Sequence, residues 1–515
     1  MTKRALLSAY DKTGLPALAR GLVDLGWEVV SSGGTAKVLG SESIPHTLLE
    51  DVTGLPAILG HRVVTLHPKV HGGILADRHD PSHQSDMEKF GIEPFDLVAV
   101  NLYPFGIDLA EFEHGASDPI EIVDIGGPAM IRSSAKNWSQ VAILVDPADY
   151  GTVLDELRLG HGEVSPATRR RLARKAFATT AAYDSAVVTW LDSSADEPEL
   201  LPPTIHLALE KVGEPLRYGE NPHQQGARYR EVGGLSWWDG VTQHGGIALS
   251  YLNLFDAEAA WQLVHDLGDR PAAAVIKHAN PCGAAVANDI GDAYAKAFSC
   301  DPVSAFGGIV ALNRPVNLAL AEELVANPKA DVLIAPSFTE DALRLITTKK
   351  KNLRVLSAPV PNRDRLELRR VGGGFLVQDA DRFVTTRSDW RVVTKAAPTE
   401  EQWGDLEVAW RICGWVKSNA IVLVKDGVAV GIGAGQQNRK DSGRIAAEKA
   451  DGRAVGGACA SDAFYPFRDG LDAAAEAGAA AIVQPGGSLR DDEVIAAADE
   501  HGVAMVYTGE RHFRH

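Results

Sequence analysis

The sequence predicts an α/β fold in more than one domain, opening with a doubly wound parallel sheet. Three observations carry this. The chain has 515 residues, more than one hydrophobic core accommodates, so two to four domains are expected. In the N-terminal segment, short apolar runs alternate with stretches of helical periodicity, the βαβα order of a parallel sheet with helices on both faces. Residues 192–203, DSSADEPELLPP, are acidic, Pro-rich and aperiodic, and mark a boundary. The predicted division is a first domain over 1–192, a linker over 193–203 and a second unit over 204–515.

Each element has its own signal. Residues 5–9 form a short apolar run that reads as a buried strand. Leu15, Leu18, Leu22, Val23 and Leu25 repeat at helical spacing, and Gly26 closes that helix. Residues 27–31 read as a second strand running into Gly33-Gly34, and 97–101 and 141–145 as later strands. Ser165 is a helix N-cap with Pro166 at the first helical position, opening a long amphipathic helix to about Leu191. Beyond the boundary, residues 420–424 and 428–432 flank Lys425-Asp426-Gly427, a hairpin signal that adds antiparallel pairing. Both halves of 204–515 show strand, loop and helix in similar order, which suggests a weak internal duplication. The charge run 349–351 reads as a solvated loop or helix end.

Composition narrows the function. A formal net charge of −17 argues against sequence-independent nucleic-acid binding, which needs a basic face. Cys282, Cys300, Cys413 and Cys459 are scattered and form no C-x-x-C pair, so neither a disulfide framework nor a structural zinc site is expected. No N-terminal apolar core matches a signal peptide and no apolar run reaches membrane-spanning length, so the expected protein is cytoplasmic, with no membrane partner.

In the first segment, two strand-to-helix turns carry small and polar residues: Ser8 to Gly14, with Lys12, and Ser32-Gly33-Gly34-Thr35. Glycines at a helix N-terminus let backbone N–H groups approach an anion, and the helix dipole favours negative charge there. Either turn also reads as a plain α/β connection. Neither matches a triphosphate or dinucleotide fingerprint. Three more clusters, RVVTLHPKV (62–70), NLYPF (101–105) and DIGGPAMIRSSAK (124–136), fall near expected strand ends, where open parallel sheets bind ligands. Tyr103, Asp124 and Lys136 are expected to meet there.

In the second segment, RYGENPHQ (217–224) is dense in polar groups, and the planar fork of Arg217 suits a phosphate or carboxylate. Lys277-His278 ends the apolar run 272–276. A histidine beside a lysine is held neutral near pH 7, ready to accept a proton; a surface histidine at a strand terminus is the alternative. Zinc deaminases carry H-x-E and then P-C-x-x-C; here the text is His278-Ala279-Asn280 and Pro281-Cys282-Gly283-Ala284-Ala285, without the glutamate or the second cysteine, so no metal is expected. SDAFYPFRD (461–469) sets aromatics between charges, suited to stacking a planar ring. The apolar stretch 503–507 before YTGERHFRH argues that the tail bearing Arg511 is docked.

Twelve motifs in order, SAYDKTGL, SSGGTA, TLHPKVHGGIL, NLYPF, DIGGPAMIRSSAKN, RYGENPHQ, KHANPCGAA, DPVSAFGG, IAPSFTEDAL, KSNAIVLVKDG, GIGAGQQNR and SDAFYPFRDG, span essentially the whole chain. Together they resemble the bifunctional purine-biosynthesis family that joins a phosphoribosylaminoimidazole-carboxamide formyltransferase to an inosine monophosphate (IMP) cyclohydrolase. The resemblance implies a methylglyoxal-synthase-like doubly wound domain for ring closure. It then implies two cytidine-deaminase-like α/β domains for formyl transfer, here roughly 204–365 and 366–515. It also implies a homodimer with transferase sites across the interface. Its substrates are small molecules: 5-aminoimidazole-4-carboxamide ribonucleotide (AICAR), its formylated product (FAICAR) and 10-formyltetrahydrofolate as co-substrate, with no tightly bound cofactor.

The resemblance also assigns residues. For transfer, His278 would be the base for the substrate amine, Lys277 would stabilise the oxyanion and help protonate the leaving nitrogen, and Asn419 would hold the formyl oxygen. Arg217, Tyr218, His223, Gly307, Asp331, Phe464 and Arg511 would bind substrate or folate. For ring closure, Ser8, Lys12, Ser32, Gly33, Gly34 and Thr35 would take phosphate and ribose. Arg62, Thr65, Asn101, Tyr103, Asp124, Gly126, Gly127 and Lys136 would surround the reacting end. One position departs: where the family carries Arg-Val-Lys-Thr, this chain reads Arg62-Val63-Val64-Thr65, so a site lysine becomes Val64. This change opens the reading of a formyltransferase with weakened or lost ring closure; a separate alternative, a nucleotide-binding regulatory N-terminal domain, is opposed by the retained Tyr103, Asp124 and Lys136.

Overall fold

The computed structural model describes residues 2–102, 119–194 and 199–515. The chain divides into two compact units, Met1–Glu210 with Glu231–Gly234, and Lys211–Arg230 with Leu235–His515.

The first unit holds a five-stranded sheet of β1 (Arg4–Leu7), β2 (Glu28–Ser31), β3 (Thr47–Leu48), β4 (Leu97–Ala99) and β5 (Ala142–Leu144), in the order β3-β2-β1-β4-β5. All pairs are parallel. The order reverses between β1 and β4, the switch point where doubly wound sheets open a crevice beyond the strand carboxyl ends. β1 ends before its apolar run does: the Ala9 N–H turns aside to Thr35 Oγ1, and the next N–H, of Tyr10, to Asn101 Oδ1. The first helix is Leu15–Asp24, and Gly26 follows it at φ 79°. Ser165 caps the long Pro166–Ser193 helix by accepting the Thr168 N–H at 3.2 Å. Leu6, Leu18, Leu97, Ile131 and Leu157 are fully buried in one core.

A two-stranded sheet of β6 (Leu209–Leu216) and β7 (Gly226–Glu231) falls at the division, with most of both strands in the second unit. Its body is one twelve-stranded sheet. The first half contributes β8 (Thr242–Gly245), β9 (Ala272–Lys277), β10 (Asn280–Val286), β11 (Ile309–Leu312), β12 (Val332–Ala335) and β13 (Arg354–Ser357). A separate antiparallel hairpin, β14 (Leu366–Val371) and β15 (Gly374–Asp379), follows. The second half contributes β16 (Arg391–Val392), β17 (Ile421–Lys425), β18 (Val428–Gly433), β19 (Ala458–Ser461), β20 (Ala481–Gln484) and β21 (Ala504–Tyr507). Read inward from either edge, the sheet repeats itself. An antiparallel edge strand, β8 or β16, precedes three parallel strands, β13-β12-β11 or β21-β20-β19, and then a hairpin, β9-β10 or β17-β18. The two hairpins meet antiparallel at Ala285 and Val428. The duplication suggested by the sequence is therefore present, with both copies in one continuous sheet.

Side chains alternate across a strand, so each strand feeds two layers. One face packs on the helices Tyr251–Asp266 and Glu400–Cys413, where Trp261 and Trp410 are almost fully buried. The other face carries a separate cluster for each half. The lysine run begins as Lys349 ends the Glu340–Lys349 helix, one of the two expected placements. All four cysteines are free thiols. Among the described residues no helix is long and apolar enough to cross a membrane.

The C-terminal segment is pinned by a buried histidine. His512 is 2% exposed, with Nδ1 2.9 Å from Asp381 Oδ2 and Nε2 3.0 Å from Glu510 Oε1. Burial pulls its pKa down, but the two carboxylates outweigh burial and leave it above the ordinary 6.5. The native state thus holds a proton that the unfolded chain releases. The resulting stability is complete below pH 6.5 and is lost as pH rises through the native value. The expected result is a melting temperature that falls from pH 6.5 toward alkaline pH, and a smaller fall in His512→Gln; thermal denaturation across pH checks both.

Candidate functional site

In the first unit, a cavity of about 1400 Å³ lies at the switch point. The turn after β1 enters it through Ser8, and the turn after β2 through Ser32, Gly33 and Gly34. The Gly33–Ser41 helix starts there. Its N-cap, Ser32, makes no side-chain capping bond, so both the hydroxyl and the first helical N–H groups remain for an anion. Lys12 lies beside this turn: a Cβ built on Gly34 would stand 3.9 Å from its Nζ, which donates to Tyr10 O at 3.0 Å.

Two expected ligand residues are occupied by the fold. Thr35 is 3% exposed; its hydroxyl accepts the Ala9 N–H at 3.0 Å and donates to Ala9 O at 3.1 Å, tying the two turns together away from the cavity lining. Asn101 lines the cavity, yet its Oδ1 accepts the N–H groups of Tyr10 and Asp11, and its Nδ2 donates to Asp11 O. Each therefore positions the β1 turn.

Across the cavity stand Arg62, Thr65, Asp124, Gly126 and Gly127. Arg62 pairs with Glu121, which also lines the space. A Cβ at Gly126 would collide with Thr65 Oγ1, so a side chain there would displace the Thr65 hydroxyl. Asp124 Oδ1 accepts the Gly127 N–H at 2.8 Å, and its own N–H donates to Tyr183 OH at 2.7 Å. Burial pushes the Asp124 carboxyl above the usual carboxylate range, against the pull of the Gly127 and Gly126 N–H groups. Val64 lines the cavity too and packs on the core without charge.

The expected meeting of Tyr103, Asp124 and Lys136 takes a different form. Tyr103 lies outside the described residues. Residues Gly126–Lys136 are one helix, not a glycine-rich turn, with Met130, Ile131, Ser134 and Ala135 buried at helical spacing. Lys136 is its exposed last residue, about 15 Å by helix rise from Gly126, and does not line the cavity.

In the second unit, a cleft of about 450 Å³ gathers Arg217, Tyr218, Lys277, His278, Gly307 and Asp331. Lys277 ends β9, and the chain returns at once as β10, so His278 and Ala279 are the whole turn. Both carry side chains at positive φ, 55° and 54°. Each such residue costs about 1–2 kcal/mol. His278 is exposed at the tip while Ala279 is buried. Lys277 Nζ donates to Phe306 O at 2.8 Å; beside it Gly307, at φ 71°, leaves room that a Cβ would take to within 3.3 Å of Nζ.

Among the lining residues that escaped the sequence reading, Asp256, Asn253 and Arg354 carry polar chemistry. Asp256, on the Tyr251–Asp266 helix, accepts the Ala279 N–H at 2.8 Å. Burial pushes its carboxyl up, against the Ala279 N–H and the nearby His278 and Lys277. Asn253 completes a capping box with Ser250. Arg354, the first residue of β13, is 8% exposed and donates through Nε and Nη2 to Ala248 O. The helical capping box was the only local signal; Arg354 and Asp256 reach the cleft through sheet and helix packing.

His223, Asn419, Phe464 and Arg511 stand outside this cleft. His223 is exposed in a turn closed by Gly219 N–H to Gln224 O at 2.7 Å. The other three come from the second half: Asn419 ahead of β17, Phe464 after β19 and Arg511 after β21. Strand directions put them on the same sheet edge as His278, but β9 and β17 are separated by three strand spacings, about 14 Å. Lys417 N–H bonds Asn280 Oδ1 at 2.9 Å and links the two segments. The zinc-deaminase echo ends at Cys282, whose thiol burial pushes up to about 12 and which donates to Val275 O at 3.4 Å.

A doubly wound domain with an anion-ready switch point, followed by a duplicated α/β unit with a Lys-His cleft, defines a two-site enzyme of nucleotide chemistry. The family model of the MGS-like domain matches residues 14–128, and that of the AICARFT/IMPCHase bienzyme matches 134–449. A solved structure described as "Crystal structure of ForH" shares 38% identity, covers 37% of this chain and 100% of its own, and has a TM-score of 0.33. The chain belongs to the AICARFT/IMPCHase bienzyme family. It is a bifunctional enzyme of purine biosynthesis, with formyltransferase and IMP cyclohydrolase activities.

Proposed function

We propose that the second unit transfers a formyl group from 10-formyltetrahydrofolate to AICAR, and that the first closes the product, FAICAR, to IMP with loss of water. The observation that carries the transfer reading is the convergence of Lys277, His278, Asp331, Arg217 and a buried Arg354 on one cleft. The acceptor amine is a poor nucleophile because its lone pair is delocalised into the ring, so a base matters. His278 takes the amine proton as nitrogen attacks the formyl carbon; Lys277 stabilises the oxyanion and helps protonate the folate nitrogen that leaves. Arg217 and Arg354 hold the substrate anion. Asn419, about 14 Å along the edge, and Phe464 and Arg511, farther along it beyond β19 and β21, complete a site with the first half of a second copy, which is why a homodimer is proposed.

Ring closure is intramolecular, so positioning supplies most of the effect. Ser32 and the Gly33-Gly34 helix start hold the phosphate, and Asp124 moves protons at the reacting end. The lining by Val64 favours a second reading, a transferase whose closure is weak. A time course with AICAR and 10-formyltetrahydrofolate, following tetrahydrofolate and IMP separately, tests both. Both products are expected together. Tetrahydrofolate with accumulating FAICAR would favour the second reading, and neither product would overturn the function proposed.

A further inference from the structure

We infer that Asp256 is a positioning residue for formyl transfer, acting through the turn that carries His278. The inference rests on the reading of His278 as the base. The turn puts two side-chain-bearing residues in the left-handed region with no glycine to ease it, so its shape depends on an outside partner. Asp256 is that partner, accepting the Ala279 N–H at 2.8 Å from the helix below.

The second half supplies a comparison inside the same molecule. There Asp405, on the Glu400–Cys413 helix, accepts the N–H groups of Asp426 at 3.0 Å and Gly427 at 2.7 Å, in the turn between β17 and β18. Lys425 matches Lys277, and Gly456 at φ 76° matches Gly307. The chemistry, however, is absent from the second turn. Asp426 stands where His278 does, and by strand register Ala480 and Ala504 stand where Asp331 and Arg354 do. Asp-Gly also adopts a left-handed pair readily, whereas His-Ala does not. The same clamp thus serves a turn that holds itself in one half, and in the other a turn that must aim a base.

The test compares Asp256→Ala, Asp256→Asn, Asp256→Ala/Ala279→Gly, Asp405→Ala and His278→Ala, with formyl-transfer kcat, KM for AICAR and ring closure read on each full-length protein. Asp256→Ala is expected to lower kcat about tenfold to a hundredfold with KM nearly unchanged, since a small misplacement of a catalytic group costs this much. Asp256→Asn keeps an oxygen for the Ala279 N–H and restores most of kcat. Ala279→Gly restores it as well, because glycine adopts the left-handed turn without a clamp. Asp405→Ala leaves kcat within about threefold. Unchanged kcat in Asp256→Ala overturns the inference, as do equal losses in Asp405→Ala or failure of both rescues. Should Asp256→Ala not fold, kcat of the glycine double variant decides. Intact transfer in His278→Ala overturns the base assignment and this role with it, whereas loss there with none in Asp256→Ala overturns the clamp alone.

Discussion

Replacing His278 with alanine is expected to lower formyl transfer by about 10²–10⁴-fold, the usual worth of a positioned general base, while ring closure continues at full rate. The size follows from where the side chain is. His278 is exposed at the tip of a two-residue turn, so truncation removes no core packing and leaves no cavity. Alanine meets the same positive φ that histidine already tolerates, and the Ala279 N–H keeps its bond to Asp256. What is lost is the proton acceptor. In free-energy terms the change is about 3–5 kcal/mol of transition-state stabilisation, with the fold untouched. Closure assayed on FAICAR in the same preparation serves as the control, because its cavity belongs to the other compact unit. Transfer within tenfold of the parent would remove His278 from the mechanism; loss of both activities in a folded protein would contradict two separate sites.

How far this was legible differs from residue to residue. The parallel sheet and its order of elements follow from local apolar periodicity, which is why β1, β2, β4 and β5 lie close to their expected runs. The β17-β18 hairpin was legible because Asp426-Gly427 is written in turn chemistry. Its counterpart was not: His278-Ala279 has no glycine, and Pro281 one residue into β10 reads as a break, so a strand end was expected where there is a reversal. The same distinction separates Lys277 from Asp256. Lys277 closes a visible apolar run, whereas Asp256 reaches the turn from a helix 23 residues upstream, through a packing relation no local pattern encodes. Motif contiguity misled once. DIGGPAMIRSSAK reads as one cluster, but a helix starts inside it, and its rise carries Lys136 away from Asp124.

Asp124→Asn is expected to reduce ring closure by about a hundredfold or more and to leave formyl transfer unchanged. The asparagine keeps an oxygen for the Gly127 N–H, so the turn at the helix start survives, and the lost function is proton exchange. Val64 brings no cation to the cavity, so the proposed closure chemistry is expected to lean more on this half-buried carboxyl. Burial also bears on the expected pH behaviour. The native carboxyl keeps its proton to higher pH than an exposed aspartate, whose ordinary value is 3.8, so an acidic limb of closure set by Asp124 is expected above that value. If Asp124 accepts a proton, closure rises with pH through that limb, and Asp124→Asn flattens it. A variant that closes FAICAR at near-parental rate with an unchanged acidic limb would reduce Asp124 to a tie for the Gly127 N–H. Closure would then rest on holding the formyl and carboxamide groups together, with the phosphate held at the anion seat proposed at Ser32 and Gly33-Gly34.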